Sequence, residues 1–210
     1  MSGIFSEILT KVGKQIPDSV TLVLMRHGEY EEGADKQFHL TAVGRSKLLK
    51  GEFSSGHIQN ADYFVSSMLP RAVETAMAVL YNKALKGAVE VPTFTTDSRI
   101  GSDGLIARIR TPHFKDLHDT YCKPGHHISL FLKGLNEYAD EFTAFQAVIL
   151  EVLYGIVDHS ANASKNKEDV TVLIVGHTPL LESAAYCITG QDISGLDKAD
   201  ALCIRGGKLL

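Results

Sequence analysis

Two histidines and two arginines in this sequence stand at segment ends from which all four can act on one anion. Arg26 and His27 belong to Met25-Arg26-His27-Gly28-Glu29, Arg71 to Ser67-Met68-Leu69-Pro70-Arg71-Ala72-Val73-Glu74-Thr75-Ala76, and His177 to Gly176-His177-Thr178-Pro179. Guanidinium forks match phosphate oxygens in bidentate geometry, and helix amino termini offer unpaired N–H groups to an anion. A neutral imidazole held among such groups can attack phosphorus in line. Charge spreading over the equatorial oxygens is then met by Arg26, Arg71 and a protonated His177. The chemistry these residue types specify is phosphoryl transfer through a phosphohistidine on His27, with no metal and no other cofactor. Gly28 and Gly176 give room for close backbone approach beside the two histidines. The candidate phosphate ligands are therefore Arg26, Arg71, His177, Gly28 and Ser67. His27 alone, after an apolar strand, would read as a capping or core histidine; its company makes it a nucleophile.

The elements that must present these residues can be read from the apolar pattern. Val20 to Met25, Ala61 to Ser66 and Val170 to Val175 are short, nearly continuous apolar runs rich in β-branched residues, as strands buried on both faces are. Helical patterns follow the second and third, over Pro70 to Tyr81 and Pro179 to Ile188. Strand followed by helix, repeated, implies a largely parallel sheet whose carboxyl edge binds ligands. All four reactive residues leave that edge, and Pro70 suits the first turn of the helix carrying Arg71. Weaker strand candidates are Val89 to Thr95 and Ala201 to Arg205. Further helices are expected over Thr41 to Phe53 and Glu141 to Val157, the latter with Phe145, Val148, Ile149, Val152 and Ile156 on one stripe. Residues 1–19 read as an amphipathic extension with a helix over Ile4 to Ile16, and 20–210 as one domain. Its pattern loosens between about 97 and 133, as an insert over the sheet or a lid would, with a weakly marked helix as the equal alternative. Ser160 to Glu168 reads as a polar surface connection.

Composition narrows the function classes. A chain of 210 residues with 44% hydrophobic content and a net charge of -4 is large enough for one buried core and carries no basic stripe for nucleic acid. No signal peptide pattern and no uninterrupted apolar run long enough to span a bilayer stand out, so neither membrane nor export is expected, and the expected location is the cytoplasm. Cys122, Cys187 and Cys203 are odd in number and irregularly spaced, which argues for reduced thiols. His113, His118, His126 and His127, with Cys122 among them, fit no strong metal-ligand spacing. His39 and His57 read as surface residues, and His159 as a cation near a helix end. Lys36, Lys47, Arg99, Arg108 and Arg110 are solvated charge or substrate-selecting cations, with Arg108 and Arg110 favoured by their place in the insert. Glu74 either orients an arginine or faces solvent, and Ser67 and Thr75 either touch the pocket or cap and pack.

Taken together, the sequence resembles the histidine phosphatase superfamily, which includes phosphoglycerate mutases, fructose-bisphosphatase-like enzymes and phosphohistidine phosphatases. Besides Arg26-His27-Gly28, the family's Leu-Thr-x-x-Gly element matches Leu40-Thr41-Ala42-Val43-Gly44, its Ser-x-x-x-Arg-Ala-x-(Gln/Glu)-Thr-Ala element matches Ser67 to Ala76, and its Gly-His element matches Gly176-His177. The resemblance implies a three-layer α/β/α sandwich with a mostly parallel central sheet, a single domain, His27 as the phosphorylated nucleophile, phosphate binding by Arg26 and Arg71, and a pocket completed by His177. Two departures bear on the proton donor. Thr178 stands where the acid-phosphatase branch has an aspartate, and no glutamate stands near Arg99-Ile100-Gly101-Ser102-Asp103-Gly104, where the mutase-like branch has one. Asp103 is the candidate general acid, with Asp97 and Asp116 behind it. Alternatively no strong acid exists, which suits a good leaving group such as the imidazole of phosphohistidine. The expected substrate is a phosphorylated small molecule or phosphoprotein, hydrolysed as a phosphomonoester or phosphoramidate. The other readings are a phosphoglycerate-type mutase and a weakly catalytic phosphate-binding or scaffold module. The oligomeric state is not specified by the residues.

Overall fold

The nearly continuous apolar runs that mark strands buried on both faces form the central sheet. In the computed structural model, which describes residues 3–32, 38–87, 92–101, 111–165 and 167–210, six strands stand in the order β3-β2-β4-β1-β5-β6. They are β1 (Val20–Arg26), β2 (Tyr63–Ser66), β3 (Thr93–Thr96), β4 (Val170–Gly176), β5 (Ala201–Arg205) and β6 (Lys208–Leu209). The first four are mutually parallel, while β5 runs antiparallel to β1 and β6 to β5. The β1–β4 register sets Arg26 opposite Gly176, so the residues that follow, His27 and His177, emerge side by side.

Each face of the sheet has its own core. Leu22 and Leu24 of β1, with Val172 and Ile174 of β4, point into one apolar layer with α1 (Gly3–Gly13), α4 (Pro112–Tyr121), α5 (Ile128–Leu135), α6 (Ala139–Ser164) and α7 (Leu180–Thr189). Val23, Met25, Leu173 and Val175 point the other way, toward α2 (Ala42–Lys50), α3 (Pro70–Leu85) and a 3-10 turn over Gly56–Asn60. This is the expected three-layer α/β/α sandwich with a mostly parallel sheet. The amino-terminal helix joins it: Leu9 and Val12 are buried in the first layer, against α6 and α7.

The Leu-Thr-x-x-Gly element has a physical reason in this fold. Thr41 caps α2 by accepting from the Gly44 amide at 2.9 Å, and its own amide donates to the Glu29 carbonyl. A Cβ on Gly44 would lie 2.6 Å from that carbonyl oxygen, so only glycine lets α2 abut the loop after His27.

On the elements, the structure decides one open reading for helix and corrects others. The loosened stretch 97–133 holds two helices: α4 is capped by Thr111 with Pro112 in its first turn, and α5 buries Ile128, Phe131, Leu132 and Leu135 at helical spacing. The polar connection from Ser160 is largely helix, since α6 runs to Ser164; buried Ser160 satisfies its hydroxyl on the Ile156 carbonyl at 2.7 Å. α6 is also long and apolar enough to cross a membrane, contrary to the sequence reading, but 56% of its apolar window is buried inside the fold, as befits a core helix. His159 therefore sits within α6 and not at its end, donating to Asp97 Oδ2 at 2.9 Å. Residues 88–91, where the β3 candidate was expected to begin, lie outside the described residues.

Candidate active site

The strand ends, the start of α3 and the turn before α7 bring His27, Arg71, His177 and Ser67 into contact. His27 is buried, and its Nδ1–H donates to the Gly28 carbonyl at 2.8 Å. A carbonyl only accepts, so this bond places the proton on Nδ1 and leaves the Nε2 lone pair for chemistry. Arg71 Nε donates to that Nε2 at 3.2 Å. Burial, then the nearby Arg71 charge, lower the His27 pKa to about 3, so the imidazole is neutral across ordinary pH.

His177 is set in the opposite tautomer. Arg71 Nη2 approaches its Nδ1 at 3.4 Å as a donor, and its Nε2–H donates to Ser67 Oγ at 2.7 Å. The two rings lie 4.9 Å apart, with one guanidinium facing both. The Gly28 amide donates to Thr75 Oγ1 at 2.9 Å, and the Thr75 hydroxyl donates to the Arg71 carbonyl one turn back in α3 at 2.7 Å. Thr75 thus ties the loop after His27 to the helix carrying Arg71.

Glu74 is half-buried, accepts from the Leu40 amide and from Arg45, and pairs with His39; it orients an arginine, though one outside the pocket. Arg26 stands beside the cluster, with Nη1 donating to the Leu196 carbonyl at 2.7 Å and Nε buried without a hydrogen-bond partner. Asp103, Arg108, Arg110 and Lys36 lie outside the described residues. Asp116 and Lys47 are exposed on α4 and α2. Arg99 is engaged by Asp97 and Asp158.

Asp97 is a poor acid in this fold. Burial pushes its carboxyl up, but bonds from the Arg99 side chain and amide and from His159 outweigh that and hold it below the usual carboxylate range. Its contribution to stability is full above the unfolded value near pH 3.8 and is lost as pH falls through the lower folded value. Asp97→Asn is expected to lower the thermal midpoint at neutral pH by about 5 °C and to shrink that difference in strong acid, read by calorimetry.

The remaining histidines of the insert have separate neighbours. His113 stacks on Tyr138, His118 meets Asp119, His126 meets Tyr121 and His127 faces Asp192. All three cysteines are free and buried, and burial pushes the Cys187 thiol up to about 12.

Several residues at the site carried no signal in the motifs. The Tyr30 ring lies edge-on to His27 at 5.1 Å, with the Arg71 guanidinium 4.7 Å and Lys198 Nζ 5.1 Å from its centroid. Phe38 adds a second ring 5.5 Å from Arg71, its backbone held at φ 55°. Glu182 is completely buried behind His177 in the first turn of α7. A charged residue inside Leu180-Leu181-Glu182-Ser183-Ala184 was a signal available in the sequence, because an unpaired carboxylate is rarely buried in such a run.

Gly101 closes the floor of the site. Its φ is 102°, and a Cβ there would lie 2.8 Å from His177 Cδ2. Gly101→Ala is expected to slow turnover at least about 10-fold and to destabilise by roughly 1–3 kcal/mol, since both the backbone and the His177 ring must shift. Kinetics with a thermal melt check both, and a wild-type rate would show that the ring has room.

These features define an α/β sandwich with a histidine–arginine pocket on its carboxyl edge, an architecture with solved counterparts. A phosphoglycerate mutase from Bacillus anthracis superposes with a TM-score of 0.55 at 14% identity, over 91% of this chain and 90% of that one. The structure named mycobacterial hydrolase 1 gives 0.54 at 14%, over 87% and 90%. The mycobacterial glucosyl-3-phosphoglycerate phosphatase with VO3 gives 0.53 at 13%, over 87% and 90%. At 13–14% identity these likenesses show that the chain shares their fold. No protein-family model and no curated protein matches the sequence.

Proposed function

We propose that the chain is an enzyme of the histidine phosphatase superfamily, a phosphatase that hydrolyses a phosphomonoester or phosphoramidate through a phosphohistidine on His27. The observation that carries this reading is the Nε2 lone pair of a neutral, tautomer-locked His27, faced by the guanidinium that also faces His177. An incoming phosphoryl group takes over the Arg71 donors and frees Nε2 for in-line attack. The Nε2–P bond forms as the bond from phosphorus to the leaving oxygen or nitrogen breaks. Arg26, Arg71 and His177 meet the equatorial charge, with Ser67 holding the His177 ring and the Gly28 region closing the near side. The leaving group takes a proton from a general acid, for which Asp103 remains the candidate, or departs unaided when its own pKa is low. Water then attacks phosphorus as the Nε2–P bond breaks, its proton returning to the group that served as acid or staying on the released phosphate, and the neutral imidazole is restored.

A mutase is the second reading, favoured by the phosphoglycerate mutase among the solved counterparts. It requires the phosphohistidine to outlast reorientation of the product. The names of two counterparts put phosphoglycerates and glucosyl-3-phosphoglycerate on the substrate panel, beside sugar phosphates, nucleotides and a phosphohistidine peptide. Phosphate release from this panel tests the proposal. Turnover of at least one member supports a phosphatase. Isomerisation without release turns the assignment to a mutase, and vanadate binding without either leaves a binding module.

The His27 pKa also fixes a pH expectation. Between about pH 5 and pH 8 the acid limb of kcat/KM does not come from His27, because protonation of the free site lies far below that range. A general acid must be protonated to act, so its titration sets the alkaline limb: an alkaline limb that vanishes in Asp103→Asn identifies the general acid, whereas one unchanged by that substitution removes Asp103 from the role.

A further inference from the structure

Behind the pocket, one buried carboxyl ties together two segments that reach the site from opposite sides. Glu182 Oε1 accepts from Thr178 Oγ1 at 2.7 Å and from the Leu196 amide at 2.9 Å. The same Leu196 gives its carbonyl to Arg26 Nη1 at 2.7 Å. One residue of the strap before β5 is therefore clamped at its amide by Glu182 and at its carbonyl by Arg26. A few residues on, Ala199 donates to the His27 carbonyl and Asp200 accepts from the Arg26 amide, while Lys198 lies over Tyr30. Thr178 directly follows His177, so the same oxygen also holds the turn that presents the second histidine.

Stability alone does not account for a carboxyl here. Glu182 is fully buried, its Oε2 has no hydrogen-bond partner, and burial raises its pKa against the pull of Leu196, Thr178 and Arg26. A buried carboxyl with one unpartnered oxygen carries a desolvation cost that an apolar side chain of similar volume would not, but that side chain would leave the Leu196 amide and the Thr178 hydroxyl without their acceptor. A single acceptor serving two donors from different segments is what an apolar residue cannot supply.

We propose that Glu182 is a positioning residue of the phosphate pocket, acting through Leu196 to aim the Arg26 guanidinium and through Thr178 to hold the turn at His177. Glu182 does not touch the substrate. The inference rests on the phosphate-pocket reading above, and it locates the determinant of Arg26 geometry in α7 and not in the strand that carries the arginine.

The test measures orthovanadate binding by calorimetry, and kcat and KM on p-nitrophenyl phosphate, for the full chain. Glu182→Met, which leaves the Leu196 amide and the Thr178 hydroxyl without their acceptor, is expected to lower the thermal midpoint and, in the folded protein, to weaken vanadate binding and raise KM by roughly 10-fold, with a smaller change in kcat. Glu182→Gln, which keeps the acceptor, restores the greater part of that loss. Arg26→Lys is expected to cost much less in the Glu182→Met background than in wild type, because its aim is already lost. If Glu182→Met does not fold, Glu182→Asp, one methylene too short to reach Leu196, carries the same expectation. Unchanged vanadate affinity in the folded variant, or losses that simply multiply in the double variant, overturns the proposal while leaving the pocket intact. Failure of the wild-type protein both to bind vanadate and to release phosphate removes the pocket reading and this inference with it.

Discussion

His27→Ala abolishes phosphate release from every substrate that the wild-type protein turns over, with an expected loss of at least about 1000-fold in kcat. The size follows from the lack of a substitute. His177, the other imidazole in reach, has its Nε2 on Ser67 and its Nδ1 facing Arg71, so neither nitrogen is placed as His27 Nε2 is. Water attacking directly would have to displace Arg71 without the neutral base that the locked tautomer supplies. Phosphate release measured at saturating substrate checks the expectation, and a retained wild-type rate would move the nucleophile elsewhere. The same residue leaves a trace in stability. The unfolded chain takes up a proton near pH 6.5 while the folded site resists until about 3, so the unfolded state binds more protons across that window and stability falls as pH drops through it. His27→Ala, if folded, should melt with a shallower dependence on pH over that interval.

Arg71→Met is the second large effect, expected to weaken vanadate binding and slow turnover together by roughly 100- to 1000-fold. Arg71 bonds His27, approaches His177 and covers the rings of Tyr30 and Phe38. Removing it takes away an anion ligand and also leaves the two imidazoles without the group that faces both. Arg71→Lys separates the two losses. A lysine restores charge but not the planar fork, so it should recover part of the binding and little of the rate. Equal recovery of both would show that charge alone was required.

Much of this architecture is written in short-range pattern. The runs at Val20 and Val170 read as central strands because both of their faces are apolar, and the structure pairs them in parallel. The helix from Pro70 was legible from its spacing and its proline, and Arg71 faces the site because it lies in the first turn after the sheet edge. What escaped was long-range. Tyr30 and Lys198 gain their places against Arg71 and each other from segments many residues apart, and no local period marks such contacts, whereas Glu182 was marked only as a carboxyl inside an apolar run. Helix in the insert was legible only as one of two equal readings, for another reason. Pro124-Gly125 and two adjacent histidines break the stretch, although Ile128, Phe131, Leu132 and Leu135 already spelled a helical face.

The strap before β5 is held from its outer side as firmly as from within. Gly195 donates to the His126 carbonyl and Ile128 to the Ile193 carbonyl, Gly125 and Ser129 bond Ser194 and Asp192, and a Cβ on Gly195 would lie 2.5 Å from the Lys123 carbonyl oxygen. The turn between α4 and α5 and the segment that carries Leu196 are thus complementary halves of one joint. An insert grafted from a relative into this chain has to bring its own version of residues 192–196, and a graft that leaves the strap behind will misplace an arginine on the far side of the sheet edge without altering a single residue of the motifs.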